Sequence, residues 1–243
     1  MRSLGIRVPA QRPRRAFAGS APVWLFDLDN TLHDSSKHIF SVIDGKMSQA
    51  VQTFLNVSSE QADILRKQYW KRYGATVIGL VKHHGVDANT FLHVSHDFDP
   101  APLVHAERGL ARKIQRLPGH KILLTNAPSG YAQEVLRTLG LLPCFDTIWS
   151  IDHMQLQGRI RPKPSKALMR QILARLGVPA SRIVLVEDTL HNLRPAHQLG
   201  MKTVHMFHPL TPFSARHRGR SLYVDLRINS VKQLAATHTR LGL

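Results

Sequence analysis

Asp27 and Asp29 stand two residues apart at the end of the apolar run Val23-Trp24-Leu25-Phe26, and Asn30-Thr31-Leu32 follow them. Two carboxylates at a strand's C-terminal end can divide labour. One attacks a phosphorus, the other moves protons, and a divalent cation masks their repulsion. A strand's side-chain period of two would put both acids on one face; a strand ending at Asp27 would let the turn aim both into one space. The same residues also read as a plain strand running into an Asp/Asn-rich turn. Three further groups carry matching chemistry. Thr125-Asn126 offers a hydroxyl and an amide that can donate to phosphate oxygens. Glu187-Asp188 offers hard oxygen ligands suited to magnesium. Lys163, in the proline-stiffened run Arg161-Pro162-Lys163-Pro164, can hold a phosphate as a point charge. Singly these are a turn, a solvated lysine and an acidic helix start. Jointly, each at or near the end of an apolar strand, they argue for one anion-and-metal site.

The elements that must position them alternate. Short apolar strands are expected at residues 23–27, 120–124, 147–150 and 182–186, with a last one at 202–206. Helices are expected at 129–139 and 165–176, with a third ending at Leu199, and Gly140, Gly177 and Gly200 stop them. That alternation is the signature of a parallel α/β sheet, in which ligands bind outside the carboxyl ends of the strands. A helical block interrupts it. Ile39, Phe40, Ile43, Met47, Ala50 and Val51 recur at helical spacing, and Ser58 with Gln61 forms a capping-box pattern. Gly74 and Gly85 are stops, Asp87 is a cap, and a last helix is expected over 104–116. The fold class is therefore α/β, a Rossmann-like parallel sheet core with an inserted α-helical cap. The expected division is a disordered basic arm at 1–20, the core at 21–34 and 117–210, the cap at 35–116, and a C-terminal extension at 211–243 packed on the core.

Composition narrows the function classes. The 243 residues include 33 Lys and Arg against 16 Asp and Glu, a net charge of +17. Such a field steers anionic ligands and also allows non-specific nucleic-acid binding. No aromatic-interleaved or zinc-finger pattern accompanies the charge, so a small anionic substrate is expected over dedicated nucleic-acid binding. The single cysteine, Cys144, excludes a disulfide framework and fits a reducing compartment such as the cytoplasm. No apolar run approaches a membrane span, and no membrane partner is expected. The Arg-rich, acid-free N-terminus reads either as a floppy tail or as a transit peptide, although Pro9 and Pro13 interrupt any amphipathic pattern. His83-His84 and the other histidines form no metal-ligating spacing.

The order Asp27-Leu28-Asp29-Asn30-Thr31-Leu32, Thr125-Asn126, Lys163 and Glu187-Asp188 resembles the four motifs of the haloacid dehalogenase superfamily. Within it, Phe26 through His33, Tyr69-Trp70-Lys71-Arg72-Tyr73-Gly74, His84-Gly85-Val86-Asp87, Phe91-Leu92-His93, Lys163-Pro164 and Glu187 through Leu193 resemble the bacterial pyrimidine 5'-nucleotidase group. Ala127-Pro128 departs from the wider pattern, where Gly is frequent after the second motif.

The resemblance implies a Mg2+-dependent phosphomonoesterase acting on nucleoside 5'-monophosphates, pyrimidines favoured. Asp27 would be the nucleophile and would form an aspartyl-phosphate. Asp29 would protonate the leaving alkoxide, then deprotonate water, and its carbonyl would touch the metal. Asp188 would ligate the metal directly and Glu187 through water. Thr125, Asn126 and Lys163 would hold the phosphoryl group. Tyr69, Arg72 and Tyr73, with His96 behind them, are the implied substrate contacts in the cap. Tyr69 and Tyr73, at i and i+4, equally suit the packed face of a cap helix. A sugar-phosphate mutase or phosphatase on the same scaffold, and a non-catalytic basic nucleic-acid-binding protein, are the competing readings. Oligomeric state is not legible.

Overall fold

The structure, a computed structural model, describes residues 17, 19–36, 38–105, 107–208 and 221–243. Most of the expected basic arm, and the Arg216–Arg220 basic run, lie outside the described residues. Phe17, inside the expected arm, is among the described residues. It is 6% exposed, joins the core beneath the sheet, and meets His120 edge-on at 4.9 Å between ring centroids. An aromatic ring gains too much from such burial to stay in solvent.

The chain opens with β1 (Val23–Phe26) and then enters the helices α1 (Ile39–Leu55), α2 (Ser59–Tyr73), α3 (Thr76–His84) and α4 (Ala88–Ser95). The caps expected from sequence form: Ser58 accepts from the Gln61 N–H at 3.2 Å and Asp87 from Thr90 at 2.8 Å. These helices share a hydrophobic cluster of their own, built from Ala50, Val51, Ala62, Val77, Leu80, Phe91 and Leu92 and closed by Ile151. The helix expected over 104–116 is shorter. Pro100 starts a 3-10 turn at Ala101–Leu103, Gly109 takes a left-handed φ of 72°, and only α5 (Leu110–Gln115) is helical.

The α/β alternation follows as β2 (His120–Leu124), α6 (Ser129–Thr138), β3 (Thr147–Trp149), a hairpin of β4 (Gln155–Leu156) and β5 (Arg159–Ile160), α7 (Lys166–Leu176), β6 (Ile183–Glu187), α8 (Leu190–His197) and β7 (Lys202–Met206). Two elements were not expected. The hairpin turns through Gln157 and Gly158, both at positive φ (53° and 70°), a primed turn between two-residue strands too short to show a period. Beyond the expected last strand, β8 (Leu226–Ile228) pairs in parallel with β7, followed by α9 (Val231–Thr237). Its sequence Leu-Arg-Ile hides it: Ile228 is fully buried, while Arg227 lies over the Phe207 ring.

The sheet order is β3-β2-β1-β6-β7-β8, all neighbours parallel. β1 lies at its centre and is apolar on both faces. Trp24 and Phe26 enter one hydrophobic cluster, Val23 and Leu25 the other, and helices cover both. The same geometry puts the C-terminal ends of β2, β1 and β6 side by side.

Candidate active site

Phe26, the last residue of β1, is level with Leu123 of β2 and Val186 of β6. The next residues therefore emerge on one edge. The Asp27 N–H donates to the Val186 carbonyl at 3.0 Å, and the Thr125 N–H to the Trp149 carbonyl at 3.0 Å. These bonds carry the sheet ladder one residue past each strand, so Asp27 and Thr125 leave from fixed positions.

Lys163 closes the cluster. Its side chain is 1% exposed, and its Nζ donates to Asp27 Oδ1 at 2.6 Å and to Glu187 Oε2 at 2.7 Å. Burial works against this charge, but Asp27 and Glu187 outweigh it and raise the lysine pKa. The loop is pinned by Asn126, whose side-chain amide donates to the Lys163 carbonyl at 3.0 Å and accepts from the Lys163 N–H at 2.9 Å. The resemblance pointed Asn126 at a phosphate; the structure engages its oxygen and one amide N–H with the Lys163 backbone, whose groups need partners, and leaves the second N–H for an anion. Thr125 accepts from the Ala127 N–H at 3.0 Å, which leaves its hydroxyl proton to donate.

Burial pushes the Asp27 pKa up to about 7, the nearby Glu187 adds to this, and Lys163 pulls against it. Asp188 is raised well above its ordinary value by burial and then by the charges of Glu187 and Asp27. Oxygen atoms of Asp27, Glu187 and Asp188 lie within 4.8 Å of one another. Three clustered carboxylates matched by one lysine leave negative charge in a buried place. Hard oxygen donors with that excess suit a divalent cation such as magnesium, and the raised carboxyl pKa values are what one would relieve.

Asp29 faces a different set of partners. Its Oδ1 accepts from Ser35 Oγ at 2.8 Å and from the Tyr131 hydroxyl at 2.8 Å, and lies 3.2 Å from His33 Nε2. Burial opposes ionisation, but His33, Ser35 and Tyr131 together outweigh it and hold the carboxyl below its usual range. Asn30, in the left-handed region at φ 57°, makes this loop possible, since Asn tolerates that conformation. Its Oδ1 accepts from the N–H groups of Ser35 and Ser36, each at 3.1 Å, which curls Ser35 back towards Asp29.

Ser35 and Tyr131 were not expected. Asn30 followed at short range by Ser35-Ser36 is a local signal for the first. Tyr131 comes from α6, and only the fold brings it to Asp29.

The cap candidates gather elsewhere among themselves. Tyr69 seats its ring where a Cβ on Gly79 would come within 2.1 Å, and its hydroxyl pairs with His84 Nε2 at 2.7 Å. Tyr73 pairs with His83 Nε2 at 2.6 Å, with Arg72 and Lys82 near its ring at 5.4 and 5.3 Å. The link to the cluster is Gly74, next after Tyr73: a Cβ there would lie 2.6 Å from the Lys163 carbonyl oxygen. His96 half-buries its ring against Tyr131, 5.6 Å between centroids, and burial lowers its pKa to about 4. No helix among the described residues is long and apolar enough to cross a membrane.

A family model of the haloacid dehalogenase-like hydrolases matches residues 23–200. Two curated proteins are similar over most of the chain. Phosphate metabolism protein 8 of Saccharomyces cerevisiae is 24% identical over 195 residues, 74% of this chain and 59% of the yeast protein. The chain thus spans less than two thirds of that relative's length. The glyceraldehyde 3-phosphate phosphatase of Methanocaldococcus jannaschii is 26% identical over 224 residues, 86% of this chain and 93% of the archaeal one. Among solved structures, CbbY of Rhodobacter sphaeroides in complex with phosphate superposes with a TM-score of 0.62 at 19% identity, covering 88% of this chain and 96% of that one. This likeness shows the fold.

Proposed function

The chain belongs to the haloacid dehalogenase-like hydrolase family, and from that premise we propose that it is a magnesium-dependent phosphomonoesterase working through an aspartyl-phosphate on Asp27. The observation that carries the reading is the buried Lys163 ammonium, which bridges Asp27 and Glu187. An ammonium has three donors. Two are engaged, and the third can meet a phosphoryl oxygen at the strand ends.

The geometry supports the following roles. Lys163 on Oδ1 and Thr31, which donates to Oδ2 at 3.2 Å, fix the plane of the Asp27 carboxylate. A fixed carboxylate can attack phosphorus in line with the leaving oxygen. The Thr125 hydroxyl and Lys163 spread donors over the equatorial oxygens, where charge develops in the transition state. Asn126 acts from behind by holding Lys163. Asp29 is ionised at neutral pH in the free protein. The proton it passes to the leaving alkoxide is taken up when an anionic phosphoryl group binds beside it, since a like charge favours the neutral acid. It then serves as base for the hydrolytic water. Magnesium would be held by Asp27, Asp188, Glu187 and the Asp29 carbonyl, and when bound supplies positive charge opposite the phosphoryl oxygens.

The inserted helices α1–α4 act in this reading as a cap over the leaving group. The finer proposal is a nucleoside 5'-monophosphate, pyrimidine favoured, with Arg72 and Tyr73 near the Lys163 loop as contacts and Tyr69 in a packing role. A second reading, a small sugar phosphate such as a triose phosphate, is favoured by the named activity of the archaeal relative, which matches 86% of this chain.

The test is phosphate release from nucleotides, triose phosphates and hexose phosphates, with and without Mg2+, by wild type and Asp27→Asn. Wild type should release phosphate only with the metal, and Asp27→Asn should lose at least about a thousandfold. No release from any ester would refute the reading. Equal turnover of purine and pyrimidine nucleotides, or turnover of triose phosphates alone, would remove only the nucleotide claim. An isomerised ester in place of free phosphate would mark a mutase.

A further inference from the structure

We propose that Tyr131 is a positioning residue for Asp29, and that His96 holds Tyr131 in place from the end of the inserted helices. The inference deepens the phosphatase reading and rests on it.

Three groups converge on one oxygen of Asp29. His33 and Ser35 come from the loop that directly follows Asp29, so they move with it. Tyr131 comes from α6, on the sheet core, and ties the loop to a fixed element through its hydroxyl at 2.8 Å. The bond is an O–H donating to a carboxylate, the stronger class of hydrogen bond. All three contacts fall on Oδ1. Oδ2 carries none of them, and in this proposal it is the oxygen that serves the reacting group. A carboxylate that must deliver a proton to one leaving oxygen gains from having its other oxygen held.

Tyr131 is held in turn. Its side chain is buried among Leu32, Ile39 and the α6 residues of the main core cluster, and the residue is 5% exposed. The His96 ring meets it at 5.6 Å and 64°, and Phe98 lies 6.0 Å away. Both follow α4, where the chain leaves the inserted helices. His96 is oriented by its own backbone: its Nδ1 lies 3.2 Å from the Leu92 carbonyl and 3.0 Å from Ser95 Oγ. The neutral ring therefore donates from Nδ1 to the Leu92 carbonyl while it packs at 64° to the Tyr131 ring. A contact chain runs from the last turn of α4 through His96 and Tyr131 to Asp29. The seating of the inserted helices thus bears on the aim of the proton-transferring carboxylate.

Tyr131→Phe keeps the ring and removes only the O–H. We expect kcat to fall about 10- to 100-fold, the range for losing a hydrogen bond to a charged group, with KM within about twofold and Tm near wild type. His96→Ala should lower kcat in the wild-type background and add little in Tyr131→Phe, since both act through one contact. A readout that needs no turnover is the carboxyl 13C resonance of Asp29 in aspartate-labelled protein, assigned with Asp29→Asn. It should move in both single variants. An unmoved resonance in Tyr131→Phe, or an unmoved kcat, overturns the positioning role of Tyr131. Fully additive losses overturn the link through His96. A wild type inert on every ester while the resonance still moves would sink the phosphatase reading and leave the contact to Asp29 standing.

Discussion

A lysine only 1% exposed keeps its charge when its partners are charged and close, as Asp27 and Glu187 are. Lys163→Met removes the cation and leaves three clustered carboxylates facing one another. We expect the metal-free protein to lose about 3–5 kcal/mol, the usual cost of stranding a buried charge, as read by urea unfolding. Added Mg2+ should restore part of it; a loss below about 1 kcal/mol, the surface-pair range, would mean the cluster is wetter than its burial suggests. The same residues set a pH dependence. Folding raises the Asp27 pKa from 3.8 to about 7, so the folded state holds this proton more tightly than the unfolded chain. The stability so gained is complete below the unfolded value and is lost as pH rises through about 7. Asp188 has the same sign, whereas Asp29, whose pKa is lowered, contributes above its unfolded value and loses that contribution in acid. Metal-free wild type should therefore lose Tm relative to Asp27→Asn between about pH 4 and pH 7. The Tm gain from Mg2+ should grow over that interval, as the ion competes with protons for the same oxygens. A Mg2+ effect independent of pH would place the ion elsewhere.

The end of α2 touches the Lys163 loop through a residue without a side chain. At Gly74 a Cβ would come 2.6 Å from the Lys163 carbonyl oxygen and 2.9 Å from Pro164 Cδ, and its φ is 82°. Gly85, at the end of α3, shares the left-handed conformation with a φ of 65°, but a Cβ there meets nothing within 4 Å. Gly74→Ala and Gly85→Ala should both cost about 1 kcal/mol for the conformation. Only Gly74→Ala should also lower kcat, by shifting Lys163, and equal kcat in the two variants would show that the loop yields freely. At this scale the sequence was readable where a local rule operates. Ser58 and Asp87 cap helices because each side chain answers an N–H three residues on. β1, β2 and β6 were legible because a central parallel strand is apolar on both faces. That Asp27, Thr125, Glu187 and Asp188 share one edge was legible because they end or follow neighbouring parallel strands, whereas Lys163 reaches them from the loop after β5 through its ion pairs. β8 was not, since an edge strand of three residues has one fully buried side chain to show. Tyr131 was not, because its partner Asp29 lies 102 residues away and nothing in the α6 sequence marks the contact. Asn126 was read for its chemistry, and its hold on the Lys163 backbone is a contact 37 residues away that no local rule announces.

Over the whole molecule, 33 basic residues against 16 acids give +17, and four of those acids, Asp27, Asp29, Glu187 and Asp188, lie at the strand ends. The rest of the surface is therefore more basic than the total implies. A phosphate monoester approaching at neutral pH is anionic, and a positive field raises its local concentration and rate of encounter. Salt screens that field, with a Debye length of about 10 Å at 0.1 M. The contacts inside the cluster are desolvated and much less affected. The two effects separate in the kinetics. Between about 20 and 200 mM salt, kcat/KM should fall several-fold while kcat stays flat. If kcat falls with it, salt is reaching the Lys163 cluster itself. If neither moves, the basic surface contributes nothing to capturing the ester, and its charge answers to some other partner.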